Sequence, residues 1–321
     1  KHIFNVNDSV YRKILGVFLA AGLIFLVFYG AFSLKIISYF INAGKPYSLY
    51  YENNYVFPFE KKIKFPKKNN LIIIYLESIE KCYYREGVFE NVITPNIAEI
   101  SGKNLSFSGY KQVFGTGWTI GGIFSSYCGV PLNVVVGDGN VYGRFKSFFS
   151  NIKCMPQILK ENGYRTYYMQ GAGLSFAGKD KFLSQHGIDE MYGKAEFYER
   201  DDFRDEYKGD WGVNDHALVY YAKEKLKSIS AEEGPFFFSM LTVDTHAPGF
   251  LNPQCGERFD KHLENVVACS DELIGEFLGW IEKQDFYADT TILVLGDHLA
   301  IRVNLPSTTR RIKTGKLLIF L

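Results

Sequence analysis

Two apolar segments that each end in acidic residues constrain the fold of this chain more than any other feature. The first, Leu71–Leu76, is an unbroken run rich in isoleucine, and Glu77 follows it directly. The second, Thr291–Leu295, leads through a glycine into Asp297 and His298. Apolar runs without polar alternation are typical of strands buried on both faces, as in a parallel sheet. Because ligands bind at the carboxyl ends of parallel strands, we expect these two tips to meet in one site.

Amphipathic helical segments alternate with further apolar strands between the two tips. We predict helices over 95–103, 155–162, 213–229 and 270–286, and strands beginning near Arg165 and Pro235. Thr94 and Ser270 are the predicted N-caps of the first and last of these helices. Alternation at these lengths predicts an α/β layer sandwich with a mainly parallel sheet.

A long uncharged segment near the N-terminus predicts one transmembrane helix. Ile14–Leu34 comprises 21 residues without a charge, and at 1.5 Å per residue this length crosses a hydrocarbon core of about 30 Å. The run is too long for a signal peptide and lacks a clear cleavage site after it. Arg12 and Lys13 precede the span and a single lysine follows it, so the positive-inside rule places the larger C-terminal part outside the cytoplasm.

The segmentation follows from this span. We expect residues 1–13 to be the remnant of a cytoplasmic loop, 14–43 the transmembrane helix with an interfacial extension, 44–69 a lysine-containing linker, and 70–321 an extracytoplasmic catalytic domain. The start at lysine and the apolar last residues indicate a fragment whose domain is truncated at its C-terminus. A formal net charge of +1 argues against nucleic acid as a partner.

Five cysteines fit an oxidising compartment. Cys128 and Cys154 flank one loop region, and Cys255 and Cys269 bracket a polar insertion, which suggests two disulfides. The sequence does not fix their connectivity. Cys82 is left over, and we interpret it as a buried apolar side chain.

A glycine-rich turn supplies the candidate nucleophile. In Gly115–Pro131, Thr119 stands where a helix would begin, so its hydroxyl and nearby N–H groups would face an anion. Thr116 offers a second hydroxyl, and composition does not separate the two. A threonine hydroxyl needs a metal or a base to lose its proton. The proposed ligands are three oxygen donors and one imidazole, a set that suits Mn²⁺ or Mg²⁺ and allows Zn²⁺: Glu77, Thr119, Asp297 and His298.

Four further residues are candidates for substrate contact, each with a simpler structural alternative. His246, just past an apolar strand, is placed to protonate a leaving alkoxide or bind phosphate oxygens, or else is a hydrogen-bonded turn residue. Lys179 is a candidate phosphate-binding cation or a solvated loop lysine. Trp211 and Asp215 are candidates for the acceptor cleft, or a packed tryptophan beside an N-capping aspartate.

Five ordered blocks carry a resemblance to a known family. They are NLIIIYLESIE, GTGWTIGGIFSSYCGVPL, QGAGLSFAGKDKFLSQHG, LTVDTHAP and LVLGDHLA, spread from about Asn70 to the end of the chain. Together they resemble the periplasmic domain of the phosphoglycerol transferase I family, bacterial enzymes that modify membrane-derived oligosaccharides, also called osmoregulated periplasmic glucans. More distantly the chain is similar to lipoteichoic acid synthases and to the sulfatase and alkaline phosphatase superfamily, whose layer-sandwich fold is then expected.

The resemblance implies a membrane-anchored phosphotransferase in the bacterial inner membrane with its catalytic domain in the periplasm. Glycerol phosphate would pass from phosphatidylglycerol to a periplasmic glucan or another sugar through a covalent phosphothreonine. The family pattern selects Thr119 over Thr116 as nucleophile and places a substrate-contacting histidine at His246 and a basic headgroup-binding residue at Lys179. It also implies a divalent cation, Mn²⁺ first, at the ligand set named above.

Several related activities remain as alternatives. A lipoteichoic acid synthase-like activity is disfavoured because Gln170 and Ala177 stand where those enzymes carry histidine and tryptophan. A sulfatase would need a Cys/Ser-x-Pro-x-Arg motif, which TIGGI lacks. A phosphoethanolamine transferase is compatible with the same ligands. A membrane-tethered binding protein without catalysis is the alternative from another functional class.

Overall fold

The computed structural model describes residues 8–33, 36, 55–56, 58, 63–84, 92–107, 109–132, 139–300 and the backbone of 319–320. Its N-terminal helix, α1 (Asp8–Ser33), belongs to a unit separate from the α/β domain. This helix is long and apolar enough to cross a membrane. Most of the predicted interfacial extension and most of the linker lie outside the described residues.

A six-stranded sheet forms the centre of the α/β domain, with strand order β3-β2-β6-β1-β7-β8. Strands β3, β2, β6, β1 and β7 pair in parallel, and β8 is antiparallel to β7. The sheet strands are β1 (Asn70–Leu76), β2 (Arg165–Gln170), β3 (Glu190–Tyr192), β6 (Phe236–Leu241), β7 (Thr290–Gly296) and β8 (Ile319–Phe320), while β4 (Lys208–Gly209) and β5 (Gly212–Val213) form a separate antiparallel pair. The predicted mainly parallel sheet is therefore confirmed.

Helices connect these strands. They are α2 (Pro95–Lys103), α3 (Thr119–Cys128), α4 (Met155–Glu161), α5 (Lys179–Gln185), α6 (Lys194–Tyr198), α7 (Asp215–Ser230) and α8 (His262–Ile281). Short 3-10 turns occur at Lys81–Tyr84, Gly139–Arg144, Phe176–Gly178, Asp205–Tyr207 and Tyr287–Asp289.

Both faces of β1 are covered, which explains its lack of polar alternation. Ile72 and Ile74 are fully buried and pack in one cluster with Leu218 of α7 and Phe277 of α8. On the other face the Tyr75 ring lies 6.1 Å from that of Tyr127 in α3. An apolar strand between two helical layers is the arrangement expected for a parallel sheet.

The start of α8 corrects one prediction. Ser270 is not its N-cap, because the helix begins at His262 after Lys261, and Ser270 lies buried inside it. The second part of the polar insertion between Cys255 and Cys269, from His262 onward, forms the first turns of the helix. Asn265 in those turns accepts hydrogen bonds from the backbone N–H groups of Arg258 and Phe259, so this polar side chain organises the preceding loop.

The N-terminus of α2 is capped from a distance. Thr94 precedes this helix as predicted, but its side chain makes no capping hydrogen bond. The carboxylate of Asp271 in α8 instead accepts hydrogen bonds from the backbone N–H groups of Asn96 (2.9 Å) and Ile97 (2.8 Å). A helix N-terminus needs acceptors for its free N–H groups, and here another helix supplies them.

Both suggested disulfides are present, Cys128–Cys154 and Cys255–Cys269. The first joins the last residue of α3 to the residue before α4. Cys82 is free and buried, as its interpretation as a small apolar side chain predicted.

Candidate active site

The parallel pairing of β1 and β7 brings the two acidic strand tips together. Leu76 is the register partner of Gly296, so Glu77 and Asp297 leave the sheet side by side. Asp297 N donates to Leu76 O across the strand ends at 3.3 Å. The sheet register alone therefore places two carboxylates at one point.

A cluster of three buried side chains forms at this point. His298 Nε2 lies 3.3 Å from Glu77 Oε1 and 3.5 Å from Asp297 Oδ2. One donor atom of each of the three residues lies within 4.8 Å of the others, and the residues are 2%, 1% and 7% exposed for Glu77, Asp297 and His298.

Thr119 joins the cluster from the first residue of α3. Its Oγ1 donates to Glu77 Oε2 at 3.2 Å. The other candidate hydroxyl, on Thr116, is used within the preceding turn, where it donates to Val113 O at 2.8 Å and accepts from Val113 N at 3.1 Å. The structure thus brings Thr119 to the acidic cluster and holds Thr116 in the turn.

Gly122 allows α3 to approach this closely. A Cβ atom on Gly122 would lie 1.9 Å from the carbonyl oxygen of Asp297, well inside any real contact. A residue without a side chain is therefore required where the helix passes the tip of β7.

The electrostatics of the cluster are those of two carboxylates sharing one cationic neighbour. Burial raises the pKa of Glu77, but the hydrogen bond and charge of His298, with smaller effects of His246 and Ser78, outweigh it and lower that pKa to about 2. Burial and the charge of Glu77 raise the pKa of Asp297 to about 7. Burial lowers the pKa of His298, but both carboxylates raise it to about 10.

The donor atoms fit a divalent cation. Asp297 Oδ1 accepts the backbone N–H groups of Ser78 (2.9 Å) and His298 (2.7 Å). Asp297 Oδ2 is buried and has no hydrogen-bond partner among the described residues. A buried, unsatisfied carboxylate oxygen is costly, and a cation held between oxygen donors and an imidazole would remove that cost.

His246 lies in the turn after β6. Two threonines of the same turn bind the backbone of Glu77. Glu77 N donates to Thr242 Oγ1 at 2.9 Å, and the Thr245 hydroxyl donates to Glu77 O. The Trp211 ring lies 4.3 Å from the His246 imidazole, between centroids, and Trp211 is 41% exposed. The tryptophan therefore lies against His246 and keeps a surface open to solvent.

Lys179 begins α5 and is almost completely buried, at 3% exposure. Its ammonium lies 5.1 Å from the ring centroid of Phe176, and none of the described residues accepts a hydrogen bond from it. Burial lowers the pKa of Lys179 to about 8, against the opposing effect of Glu77 and Asp297. Such an ammonium favours an anion entering the site.

Gln170 and Ala177 have structural roles. Gln170 is fully buried, and its amide donates to Ala172 O and Gly173 O at 3.0 Å each. Ala177 is 6% exposed and has a positive φ of 57°, in the turn that leads to Lys179.

Asp215 has a different position from the one predicted for an acceptor-contacting residue. It is 1% exposed, and its two carboxylate oxygens accept backbone N–H groups of Val243 and Asp244. The N-cap of α7 is Asn214, whose side chain accepts from Ala217 N. The Asp215 carboxylate thus points into the protein, where the N–H groups of Val243 and Asp244 engage both of its oxygens.

Sequence reasoning missed the residues that fix the main chain of the cluster. They are polar groups bonded to backbone or carboxylate atoms of the strand tips: Ser78, Gln112, Thr242 and Thr245. Both threonines stand in the LTVDTHAP block, close to His246, and this was the available signal. Its meaning depends on the pairing of β1 with β6, which brings the block next to Glu77.

Comparison with known proteins gives a family and a fold. The model of the sulfatase family matches residues 69–315. Phosphoglycerol transferase I of Xanthomonas axonopodis pv. citri (strain 306) is 35% identical over 262 residues, which cover 79% of this chain and 37% of that protein. The protein of the same name from Salmonella agona (strain SL483) is 39% identical over 248 residues, covering 75% and 32%. The chain thus spans about a third of the length of these relatives.

Solved structures show the same fold. A protein of the alkaline phosphatase superfamily from Vibrio parahaemolyticus superposes with a TM-score of 0.64 at 23% identity, covering 81% of this chain and 60% of that one. The lipoteichoic acid synthase LtaP from Listeria monocytogenes gives 0.64 at 21% identity, covering 79% and 65%. The alkaline phosphatase-like layer sandwich predicted from the sequence is therefore confirmed.

Proposed function

The chain belongs to the sulfatase family, and we propose that it is the catalytic part of a membrane-anchored phosphoglycerol transferase. In this proposal glycerol phosphate moves from phosphatidylglycerol to a periplasmic glucan or another sugar hydroxyl. The names of the relatives support the transfer of glycerol phosphate. The observation that carries the proposal is the hydrogen bond from Thr119 to Glu77: a threonine hydroxyl lies beside a buried cluster of three side chains that could hold a metal ion.

Glu77, Thr119, Asp297 and His298 are the proposed ligands of one divalent cation, with Mn²⁺ as the first candidate and Mg²⁺ and Zn²⁺ as alternatives. When bound, the cation would supply the positive charge that makes the alkoxide form of a threonine accessible at neutral pH. Three oxygen donors and one imidazole suit this group of metals.

The transfer would occur in two displacements at phosphorus. Thr119 Oγ1, having lost its proton to solvent, would attack as the alkoxide and form a bond to phosphorus while the bond to the diacylglycerol oxygen breaks, and His246 would give that oxygen a proton. An acceptor hydroxyl would then attack the phosphothreonine, and His246 would take up its proton as Thr119 leaves as the alkoxide. Lys179 would bind non-bridging phosphate oxygens, since its buried ammonium has no hydrogen-bonded acceptor among the described side chains.

Trp211 is the proposed contact for the acceptor, because it is partly exposed against His246. For Asp215, the predicted contact with substrate has no support from its buried carboxylate, and we assign it an indirect role. The candidate membrane span α1 supports a location in the bacterial inner membrane with the catalytic domain in the periplasm, where a lipid donor is accessible.

The decisive experiment is intact-mass measurement of the full-length protein after incubation with phosphatidylglycerol and Mn²⁺. We expect an adduct of about 154 Da, the mass added by a covalent glycerol phosphate, in the wild type and in Thr116→Ala, but not in Thr119→Ala. Phosphatidylethanolamine in a parallel reaction tests the phosphoethanolamine transferase alternative.

Metal content provides an independent measurement. We expect Glu77→Ala to lose the bound metal, because it removes one ligand and uncovers the buried Asp297 carboxylate. A wild-type protein that binds no metal, forms no adduct and releases no diacylglycerol would contradict the phosphotransferase and favour a binding protein.

A further inference from the structure

The Asp215 carboxylate holds one tight turn of the backbone. Its Oδ1 accepts the N–H of Val243 at 2.7 Å, and its Oδ2 accepts the N–H of Asp244 at 3.0 Å. Val243 O in turn accepts the N–H of His246 at 2.9 Å. Two successive hydrogen bonds therefore connect the buried carboxylate to the main chain of the histidine.

The contact between α7 and this turn is reciprocal. Asp244 Oδ2 accepts the N–H of Asp215 at 2.9 Å, so each residue binds the backbone of the other. Asp244 O accepts the N–H of Phe250 at 2.8 Å, which closes the loop that follows His246. Asp215 and Asp244 are 1% and 6% exposed, so water does not compete for these bonds.

The same turn is fixed to the metal-ligand strand on its other side. Thr242 accepts the N–H of Glu77, and the Thr245 hydroxyl donates to the carbonyl of Glu77. Residues 242–246 therefore lie between two anchors, Glu77 on one side and Asp215 on the other. Loss of the Asp215 anchor would release Val243 and Asp244, and with them the carbonyl that accepts the His246 N–H, while the contacts of Thr242 and Thr245 with Glu77 stay in place.

We propose that Asp215 is a positioning residue that holds His246 at the distance and orientation needed to transfer a proton to the leaving oxygen. The inference rests on the proposed function, since it takes His246 as the general acid. Asp215 does not touch the substrate. It acts through the backbone of Val243 and Asp244.

The chemistry of the two acceptors makes a conservative substitution informative. An asparagine has one carboxamide oxygen and one NH₂ group. Asp215→Asn therefore keeps an acceptor for one of the two backbone N–H groups and places an NH₂ donor against the other. Asp271 provides the matched control. It is also fully buried and accepts the N–H groups of Asn96 and Ile97 with its two oxygens, but it caps α2 and has no link to His246.

The experiment compares two phosphodiester substrates of the metal-loaded, full-length protein. A glycerophosphate diester with an alkyl leaving group needs a proton from a general acid, whereas a p-nitrophenyl diester has a stable leaving anion and does not. We expect Asp215→Asn to lower kcat for the alkyl diester at least about tenfold and for the aryl diester less than about threefold, as a smaller version of the loss in His246→Ala. Asp271→Asn should lower thermal stability and leave both kcat values within about twofold.

The double variant Asp215→Asn with His246→Ala supplies the decisive comparison. If Asp215 acts through His246, the double variant has the kcat of His246→Ala alone, because nothing remains to be positioned. Multiplicative losses, or equal losses for both leaving groups, would overturn the proposal. If Asp215→Asn does not fold, Asp215→Glu carries the same test, since it keeps two acceptors and displaces the turn.

Failure of the proposed function has a different signature. Under the proposed function Thr119→Ala abolishes turnover of both substrates and the covalent adduct. A wild-type adduct that disappears in Thr119→Ala, together with a His246→Ala variant that is unimpaired for the alkyl diester, would refute the positioning role and leave the nucleophile standing.

Discussion

The close approach of α3 to the tip of β7 gives the sharpest prediction. In Gly122→Ala the new Cβ would lie 1.9 Å from the carbonyl oxygen of Asp297 and 2.9 Å from its carbonyl carbon. Both contacts are to backbone, so no side-chain rotation relieves them. Because real Cβ contacts lie beyond 3.0 Å, the helix and the strand tip have to separate by about 1 Å.

That separation affects stability and catalysis by different amounts. Overpacking of a well-packed interior costs about 1–3 kcal/mol, which corresponds to a fall in Tm of roughly 2–4 °C per kcal/mol for a domain of this size. Thr119 begins the same helix, three residues before Gly122, so a shift of the helix moves Thr119 away from both Glu77 and Asp297. A displacement of about 1 Å in a reacting group lowers turnover about 100-fold.

Gly279→Ala is the matched control for this variant. Gly279 also lies within a helix, α8, but a Cβ there meets nothing within 4 Å. We expect Gly279→Ala to raise stability by up to about 1 kcal/mol through helix propensity and to leave turnover unchanged. Differential scanning calorimetry and the rate of glycerol phosphate transfer measure the two effects. A Gly122→Ala protein with wild-type turnover would refute the argument that this contact sets the position of Thr119.

Two further predictions concern charge and covalent structure. The pKa of Lys179 is lowered by burial to about 8, so its ammonium is present below that pH and is lost as the pH rises through it. We expect KM for the phospholipid donor to rise above pH 8 in the wild type and to stay flat in Lys179→Arg, whose guanidinium remains charged, as measured by steady-state kinetics from pH 6 to about 10. The disulfide Cys128–Cys154 closes a segment with a sequence separation of 26, and replacing both cysteines by serine should lower the free energy of unfolding by about 3.5 kcal/mol. Urea denaturation measures that loss, and an unchanged midpoint would contradict it.

The strands and their tips could be predicted because their signals are local. Leu71–Leu76 and Thr291–Leu295 are unbroken apolar runs, and the structure extends each by one or two residues. Once both are parallel strands, the meeting of Glu77 with Asp297 follows from the rule that carboxyl ends share an edge. A glycine-rich turn before a helix indicated a hydroxyl nucleophile, and the family resemblance selected Thr119 over Thr116. The sequence therefore contained the elements of the cluster and their order.

The contacts between these elements could not be predicted, because they depend on pairs that are distant in the chain. Asp271 caps α2 from a separation of 175 residues, and no pattern near Thr94 reveals it. Ser270 was misplaced as a cap because serine followed by acidic residues resembles a helix start, whereas the helix begins eight residues earlier, at His262, and buries Val266 and Val267 in the core. Asp215 resembled a surface residue near a substrate cleft, but the turn after β6 buries it.

A displacement of the nucleophile and a displacement of His246 can be distinguished by their dependence on the leaving group. Gly122 lies on the α3 side, so its substitution moves the nucleophile and should slow reactions with good and poor leaving groups equally. Asp215 lies on the β6 side, where its substitution moves His246 and should slow the poor leaving group selectively. Glu77 lies between them and is bound at its backbone by Thr242 and Thr245. Because the two sides meet at this fixed strand tip, combining Gly122→Ala with Asp215→Asn should multiply their effects on the alkyl diester. Non-multiplicative losses would show that the displacement is transmitted through the tip of β1.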